Sequence, residues 1–239
     1  MTPYPDRMEI IDTHTHTLRP GAVVNIDPSA MPLSVLRIEA PYFYSVGIHP
    51  WNAGVVRPSD IRTLRRLARD RRVLAIGETG LDSVHVGYEW VEVPGRKEPE
   101  IREAVPSIDR QTELLRLHIG LSEELCKPLI LHVVKRFPEI MNMRRTMRPS
   151  QPWIIHGYRG KPGLARDLLR LGFYLSYGER FNPASVAVTP PDRLLLETDE
   201  SALTVAEIAS LAGVTACSQC IADKARELGA LDGGALENP

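Results

Sequence analysis

The sequence has few cysteines and lacks any long apolar run. Its 239 residues include three cysteines, and Cys126 lies far along the chain from the other two. This usage fits a reducing compartment better than a secreted disulfide framework, so the expected location is cytoplasmic. No stretch approaches the roughly 18 apolar residues of a membrane span, and the first residues carry no run of signal-peptide length. We therefore expect no membrane partner.

An excess of charge of either sign is also absent. The formal net charge is −1, with 43% apolar and 25% charged residues, as in an ordinary globular protein. A basic field over the whole molecule, which would attract nucleic acid, is therefore excluded. Any anionic substrate must be attracted locally, by metal ions or by a few placed lysine and arginine side chains.

Short β-rich segments alternate with helical patterns along the chain. Apolar runs such as Leu129–Leu131 are typical of strands buried on both faces, and amphipathic segments such as Ile108–Leu125 predict helices between them. We expect an α/β fold, a TIM-like barrel of parallel strands in one domain over residues 1–239, with a loose tail over 229–239. The strand candidates are Glu9–Thr13, Val23–Ile26, Tyr42–Gly47, Val73–Gly77, Pro128–His132, Pro152–Ile155, Gly172–Ser176 and Arg193–Glu197.

Two regions do not fit this alternation. Between Arg19 and Pro41 no helix is predicted on either side of the weak strand at Val23. Residues 82–111 form a long connection rich in glycine and proline. A connection of that length in a compact domain is usually a lid, a binding loop or a disordered segment.

Ionisable residues recur where the predicted strands end. His14 and His16 lie two apart on the first strand, so both side chains share one face and could chelate Zn²⁺ or a similar ion. Taken alone, the pair fits hydrogen bonding inside the fold equally well. The other candidates at strand ends are Glu78, His132, His156 and Asp199.

The carboxyl ends of parallel barrel strands meet at one face, where barrel enzymes have their active sites. A single histidine there is usually a satisfied polar residue, and a single aspartate can cap the next helix. Six such residues together would leave costly unpaired groups without a cation, so the pattern predicts a metal site. His85 and His118 fall outside it and are interpreted as a loop residue and a helix-surface residue. Trp51 and Trp153 are interpreted as packing residues.

The candidate residues lie in an ordered set of motifs: His14-Thr15-His16, Gly47-Ile48-His49-Pro50, Gly77–Asp82, Pro128–His132, His156-Gly157 and Glu197–Asp199. In this order the motifs resemble the TatD family of metal-dependent deoxyribonucleases. Most of the similarity lies in the glycine–glutamate block Gly77–Asp82 together with Glu197–Asp199, and it extends from about Ile10 to Asp199.

The resemblance implies a site for two divalent ions (Zn²⁺, Mg²⁺ or Mn²⁺) on an amidohydrolase-like barrel. One ion would be held by His14, His16 and Asp199, the other by His132 and His156, with Glu78 bridging both. The implied activity is that of a deoxyribonuclease or phosphodiesterase that uses a two-metal-activated water.

Three catalytic roles follow from the same resemblance. Glu78 would bridge the ions, Asp199 would accept the proton of the nucleophile, and His49 would line the substrate side. Lys135 and Arg159 follow two of the strand ends and are candidate phosphate contacts, although each fits an ordinary exposed cation. Without an extended basic groove, we expect DNA ends or short single strands as substrates.

Departures from the family pattern leave other functions open. The stretch between His16 and Gly47 is short, and the chain runs from Asp199 directly into Val205–Leu211. These lengths predict a reduced first helix and a reduced last βα unit. One alternative is an enzyme of the same superfamily that acts on another ester, an amide or a small phosphoester. The other is a non-catalytic metal-binding barrel that serves as a scaffold.

Overall fold

The computed structural model describes residues 11–30, 37–92 and 100–228. Within these residues, eight parallel strands close into a barrel, with each strand hydrogen-bonded to the next one around it. All eight predicted strands are present; the first continues two residues beyond its predicted end at Thr13, and Glu9 and Ile10 of that prediction lie outside the described residues. The barrel strands are β1 (Asp12–Thr15), β2 (Ala22–Ile26), β3 (Phe43–Val46), β4 (Val73–Asp82), β7 (Leu129–Val134), β8 (Trp153–Ile155), β9 (Phe173–Tyr177) and β10 (Leu194–Leu196).

Helices connect most of these strands. Proline occupies the first turn of four of them, where a missing backbone N–H costs nothing. Residues 16–21, between β1 and β2, contain no helix, in agreement with the reduced first helix expected from the short spacing. No helix in the described ranges is long and apolar enough to cross a membrane. The helices are α1 (Pro58–Leu67), α2 (Ile108–Glu124), α3 (Phe137–Met147), α4 (Pro162–Arg170), α5 (Pro183–Val186), α6 (Val205–Ala212) and α7 (Cys220–Glu227).

The interior of the barrel has an apolar layer at its amino-terminal end. One hydrophobic cluster joins residues from six strands around the barrel, which only interior side chains can do. Ile221 and Ala225 of α7 belong to the same cluster, so this helix closes that end of the barrel. We call the strand residues of this cluster the lower layer: Val23, Phe43, Leu74, Ala75, Ile130, Ile154 and Leu195.

Two residues further along several of these strands, the side chains are polar. Because alternate strand residues share a face, these polar side chains also point into the barrel. Glu78 joins them from β4, where the pairing with β7 is irregular between Ile76 and Thr79. Gly77 has a φ of 130°, and a Cβ atom there would collide with the Ile130 carbonyl oxygen, so glycine is required. We call this set the upper layer: Asn25, Ser45, Glu78, His132, His156 and Glu197.

The region 82–111 is more ordered than its sequence predicts. β4 continues through Asp82, β5 (Gly87–Val91) and β6 (Glu100–Ala104) form an antiparallel hairpin, and α2 begins at Ile108. The expectation of a long irregular connection is therefore wrong for the described residues of this region. The prediction of a loose tail over 229–239 falls outside the described residues.

His118 is buried in α2, and its interpretation as a helix-surface residue is wrong. Its Nδ1 donates to the Leu114 carbonyl oxygen (2.7 Å), and its Nε2 accepts the Ile48 N–H (2.9 Å). Burial lowers the pKa of His118 to about 4, so the ring is neutral. Position 118 follows Leu114 by four residues, and this helical spacing places it on the buried stripe of α2.

Candidate metal centre

The six predicted ligands come together at the carboxyl end of the barrel. Five of them line one cavity of about 640 Å³, and His14 lies buried behind it. The strand ends position them, because β1, β4, β7, β8 and the segment after β10 all finish at this face. The ligands differ in exposure: the side chains of His16 and Asp199 are 43% and 30% exposed, whereas Glu78 is buried.

Glu78 is at the centre of the group. The carboxylate is surrounded by ring nitrogens of five histidines, of which four were predicted as ligands and the fifth is His49. On Oε1 the distances are 2.7 Å to His156 Nε2, 2.9 Å to His132 Nδ1 and 3.2 Å to His49 Nε2. On Oε2 they are 3.3 Å to His14 Nε2 and 3.6 Å to His16 Nε2.

The electrostatics of the group keep Glu78 ionised. Burial alone would raise its pKa, but the surrounding histidines outweigh burial and hold the pKa of Glu78 well below its usual range. Burial opposes a charge on His156, yet Glu78 and Glu197 raise the pKa of that ring well above its ordinary value. The centre therefore offers a charged carboxylate to any cation that enters.

Two of the histidines are backed by a second carboxylate. Asp82 Oδ2 lies 3.0 Å from His132 Nε2, and Glu197 Oε1 lies 3.2 Å from His156 Nδ1. Each of these carboxylates can accept one ring N–H, so the nitrogen of each ring that faces Glu78 is the one that would be free to bind a cation. Metal-ligating histidines show this arrangement, because it sets both the tautomer and the ring orientation.

His14 tests whether the residues fit a cation. Both of its ring nitrogens are buried and make no hydrogen bond, although Nε2 is 3.3 Å from Glu78 Oε2. An unsatisfied buried nitrogen beside a carboxylate is costly, and a cation between the two would satisfy both. Mixed imidazole nitrogen and carboxylate oxygen ligands suit Zn²⁺ and similar divalent ions. The residues present fit a metal.

The described residues contain four groups whose ligand atoms all lie within 4.8 Å of one another. Three of them surround the Glu78 carboxylate and share members, so they adjoin. The fourth lies behind His132. The groups are His14 with His16 and Asp199; His14 with Glu78 and His156; His49 with Glu78 and His132; and Asp82 with His85 and His132.

His49 differs from the other histidines in its tautomer. Its Nδ1 accepts the backbone N–H of Trp51 (3.2 Å), so the neutral ring carries its proton on Nε2, towards Glu78. Burial lowers the pKa of His49, which favours this neutral form. The ring therefore presents a hydrogen-bond donor to the cavity rather than a lone pair.

Three polar residues outside the predicted ligand set support the site. Glu197 backs His156 and also accepts the Gly157 N–H (2.6 Å). Asn25 Oδ1 accepts the Glu78 N–H (2.8 Å), which holds the backbone of the central carboxylate. Asp82 backs His132 with Oδ2 and also holds the following turn, because its Oδ1 accepts two backbone N–H groups there. Each is a polar residue in or at the end of an otherwise apolar strand.

Two further interpretations need correction. His85 is an exposed loop residue, as expected, but it does not lie apart from the site: its Nδ1 is 2.7 Å from Asp82 Oδ2. Trp51 does not pack in the core, because a short 3₁₀ helix over Pro50–Asn52 places it at the cavity, where it is 37% exposed. Trp153 is buried, as expected. Lys135 and Arg159 both line the cavity.

Proteins of known sequence resemble this chain over most of its described length. The profile of the family described as TatD related DNase matches residues 18–208. The uncharacterized metal-dependent hydrolase YcfH of Escherichia coli (strain K12) is 33% identical over 165 residues, which cover 65% of this chain and 54% of that protein. The 3'-5' ssDNA/RNA exonuclease TatD of Erwinia amylovora is 28% identical over 182 residues, which cover 72% of this chain and 63% of that protein. The chain thus spans little more than half the length of these curated relatives.

A solved structure has the same fold. The crystal structure of YJJV, a TatD homolog from Escherichia coli K12, superposes with a TM-score of 0.66. The superposition covers 92% of this chain and 95% of the other, at 19% sequence identity. At that identity the likeness concerns the barrel alone.

Proposed function

This chain belongs to the family of TatD-related DNases, and from that premise we propose that it is a metal-dependent hydrolase that cuts phosphodiester bonds at DNA ends or in short single strands. The observation that supports the proposal most is the Glu78 carboxylate, with ring nitrogens of five histidines within 3.6 Å of it. A structural role for so many buried ionisable groups is costly, whereas a hydrolase with metal ions needs them.

We assign two ions to the centre, following the family resemblance. His14, His16 and Asp199 would hold one, His132 and His156 would hold the other, and Glu78 would contribute to both. When bound, such ions supply Lewis acidity, which polarises a phosphoryl oxygen and lowers the pKa of a water molecule. The carboxylates behind His132 and His156 keep the ligand nitrogens directed at the centre.

Other residues of the chain act on the substrate side. Asp199 is partly exposed to the cavity, so it can accept the proton of an attacking water while its other oxygen remains near His14 and His16. The Nε2–H of His49 faces Glu78 at the edge of the same space, and with Glu78 bound to metal it would donate to an ester oxygen. Asn25 keeps Glu78 in place through its backbone N–H.

The preference for ends follows from the shape of the site. The centre lies inside a cavity of about 640 Å³ at the mouth of the barrel, and the formal net charge of −1 provides no general attraction for a duplex. Lys135 and Arg159 line this cavity and would contact phosphate. The naming of the Erwinia relative as a single-strand exonuclease supports the same class of substrate.

Elemental analysis and metal-restored nuclease assays test the proposal together. The purified protein is analysed for bound metals, depleted with a chelator and assayed after addition of Zn²⁺, Mn²⁺ or Mg²⁺. The substrates are single-stranded oligonucleotides with free ends and the same sequence as a closed circle. We expect metal-dependent release of nucleotides from the open strand only. Hydrolysis of a carboxylic ester without any nuclease activity, or metal uptake without turnover of any ester, would contradict it.

A further inference from the structure

The aromatic ring of Trp51 lies at the cavity. Both the indole N–H and the backbone N–H of this residue donate a hydrogen bond. Its indole Nε1 donates to Asp82 Oδ2 (2.9 Å), and its backbone N–H donates to His49 Nδ1 (3.2 Å). From the other side, Gly87 of the β5–β6 hairpin approaches the Trp51 carbonyl group so closely that no Cβ atom would fit there. The position of this side chain is therefore determined before any ligand binds.

The ring also contacts the histidines of the site. The centroid of the Trp51 ring is 4.5 Å from that of His49 and 5.9 Å from that of His132, both in edge-to-face geometry. The His85 ring is 5.4 Å away on the loop after β4. Trp51 is thus directly adjacent to the groups assigned to the metal centre.

The three tryptophans of the chain differ in their exposure and in what their rings contact. Trp153 is buried in the core. Trp90 donates its Nε1–H to the Val55 carbonyl oxygen, and the Arg57 guanidinium lies 5.4 Å from its ring centroid. Trp51 alone lines the cavity of the metal centre, with 37% of its surface exposed. The exposed part of this ring offers an apolar aromatic surface to a ligand in the cavity.

We propose that Trp51 is a stacking platform for the nucleobase next to the scissile phosphate, an inference that rests on the proposed phosphodiesterase function. Every nucleobase has an aromatic face, so stacking on tryptophan gives affinity with little sequence preference, as a nuclease of single strands requires. Because the ring is already fixed, little side-chain entropy is lost when a base stacks on it. Lys135 and Arg159 in the same cavity are placed for the phosphate of that nucleotide.

Binding of short oligonucleotides to Trp51 variants tests the platform without depending on cleavage. The probes are two fluorescein-labelled single strands with phosphorothioate linkages, one with normal bases and one with abasic residues at its unlabelled end. Kd is measured by fluorescence anisotropy for the wild-type protein with its native metals, for Trp51→Leu, and for the matched controls Trp51→Phe and Trp90→Phe.

We expect Trp51→Leu to raise Kd for the normal strand by about 5- to 150-fold and to leave Kd for the abasic strand unchanged. Trp51→Phe should lose less affinity for the normal strand than Trp51→Leu does. Trp90→Phe should bind both strands with the Kd of the wild type. An equal loss on both strands would show that Trp51 acts only through Asp82 and His132, and it would overturn the proposal. Unchanged binding of the normal strand by Trp51→Leu, or no binding of either strand by the wild type, would also overturn it.

Cleavage of an unmodified strand is measured separately on the same proteins. Absence of cleavage with base-dependent binding intact counts against the proposed hydrolase function and leaves the platform standing. Cleavage with equal affinity for normal and abasic strands counts against the platform alone.

Discussion

The two layers inside the barrel come from the same strands and differ in almost every physical respect. Ile130 of the lower layer is followed two residues later by His132 of the upper layer, and Ile154 is followed in the same way by His156. The lower layer is buried apolar surface closed by α7, which stabilises the fold. The upper layer collects histidines and carboxylates whose burial costs free energy.

This difference separates stability from chemistry along the barrel axis. A step of two residues on one strand keeps the side chain inside the barrel but moves it from the packed end to the open end. Changes in the lower layer should therefore reduce the free energy of unfolding without changing metal binding. Changes in the upper layer should alter metal binding and leave the free energy of unfolding of the metal-free protein nearly unchanged.

Glu78→Gln should have the largest effect. The variant removes the charge at the centre of the upper layer, so we expect loss of at least one ion and a fall in activity of at least about a thousandfold. Elemental analysis and kcat/KM on a single-stranded substrate check this, with exposed Glu113→Gln as the control that keeps both. After chelation at pH 8, Glu78→Gln should unfold within a few degrees of the wild type. Wild-type turnover would disprove the central role of Glu78.

Ile154→Ala should be the main disruption of the lower layer. Truncation of this buried side chain leaves a cavity, and we expect a loss of about 2–5 kcal/mol in the free energy of unfolding, against about 0.5–1.5 kcal/mol for Ile154→Val. Urea denaturation measures the loss, and the metal content of the folded variant should equal that of the wild type. Loss of metal at an unchanged free energy of unfolding would contradict the assignment of stability to the lower layer and of metal binding to the upper layer.

His118 lies outside the barrel, and a change there should affect the free energy of unfolding, as changes in the lower layer do. Its pKa is about 4 in the folded protein and 6.5 in the reference state, so the unfolded chain binds the extra proton between these values. The stabilising contribution is thus present above pH 6.5 and is lost as the pH falls towards 4, by up to about 3 kcal/mol. Denaturation of chelated protein at pH 7 and 4.5 should show this loss, and His118→Gln should show less of it. An identical pH dependence in both proteins would contradict the assignment.

Asp82→Asn and Glu197→Gln should have smaller effects on the metal centre. Each weakens the hold on one histidine while the ligands themselves remain, so we expect metal affinity to fall by about 10- to 100-fold. Competition with a chelating dye measures it. Asp82 also accepts the indole N–H of Trp51. Asp82→Asn should therefore also weaken the binding of single strands with normal bases, whereas Glu197→Gln should not. Equal metal affinity in both variants and the wild type would remove the support role.

Much of the fold follows from local patterns. Apolar runs such as Leu129–Leu131, alternating with helical patterns, predicted the barrel strands, because a strand covered on both faces is mainly apolar. The prediction of a long connection over residues 82–111 missed the β5–β6 hairpin. This hairpin is stabilised by its cross-strand pairing and by its contact with Trp51, and neither can be recognised from a short stretch of sequence. His118 could have been placed on the buried face from its spacing to Leu114.

The candidate metal ligands could be grouped from the sequence because each lies at or near the carboxyl end of a predicted strand, and a parallel barrel gathers strand ends at one face whatever the details of packing. The tertiary structure alone decided what surrounds them. The proton on Nε2 of His49 depends on a backbone N–H, the orientation of His132 depends on Asp82 from another strand, and the exposure of Trp51 depends on how a short helix meets a hairpin. The contacts of His132 with Asp82 and of Trp51 with the hairpin join residues distant in the chain, so their geometry is set only when the barrel closes.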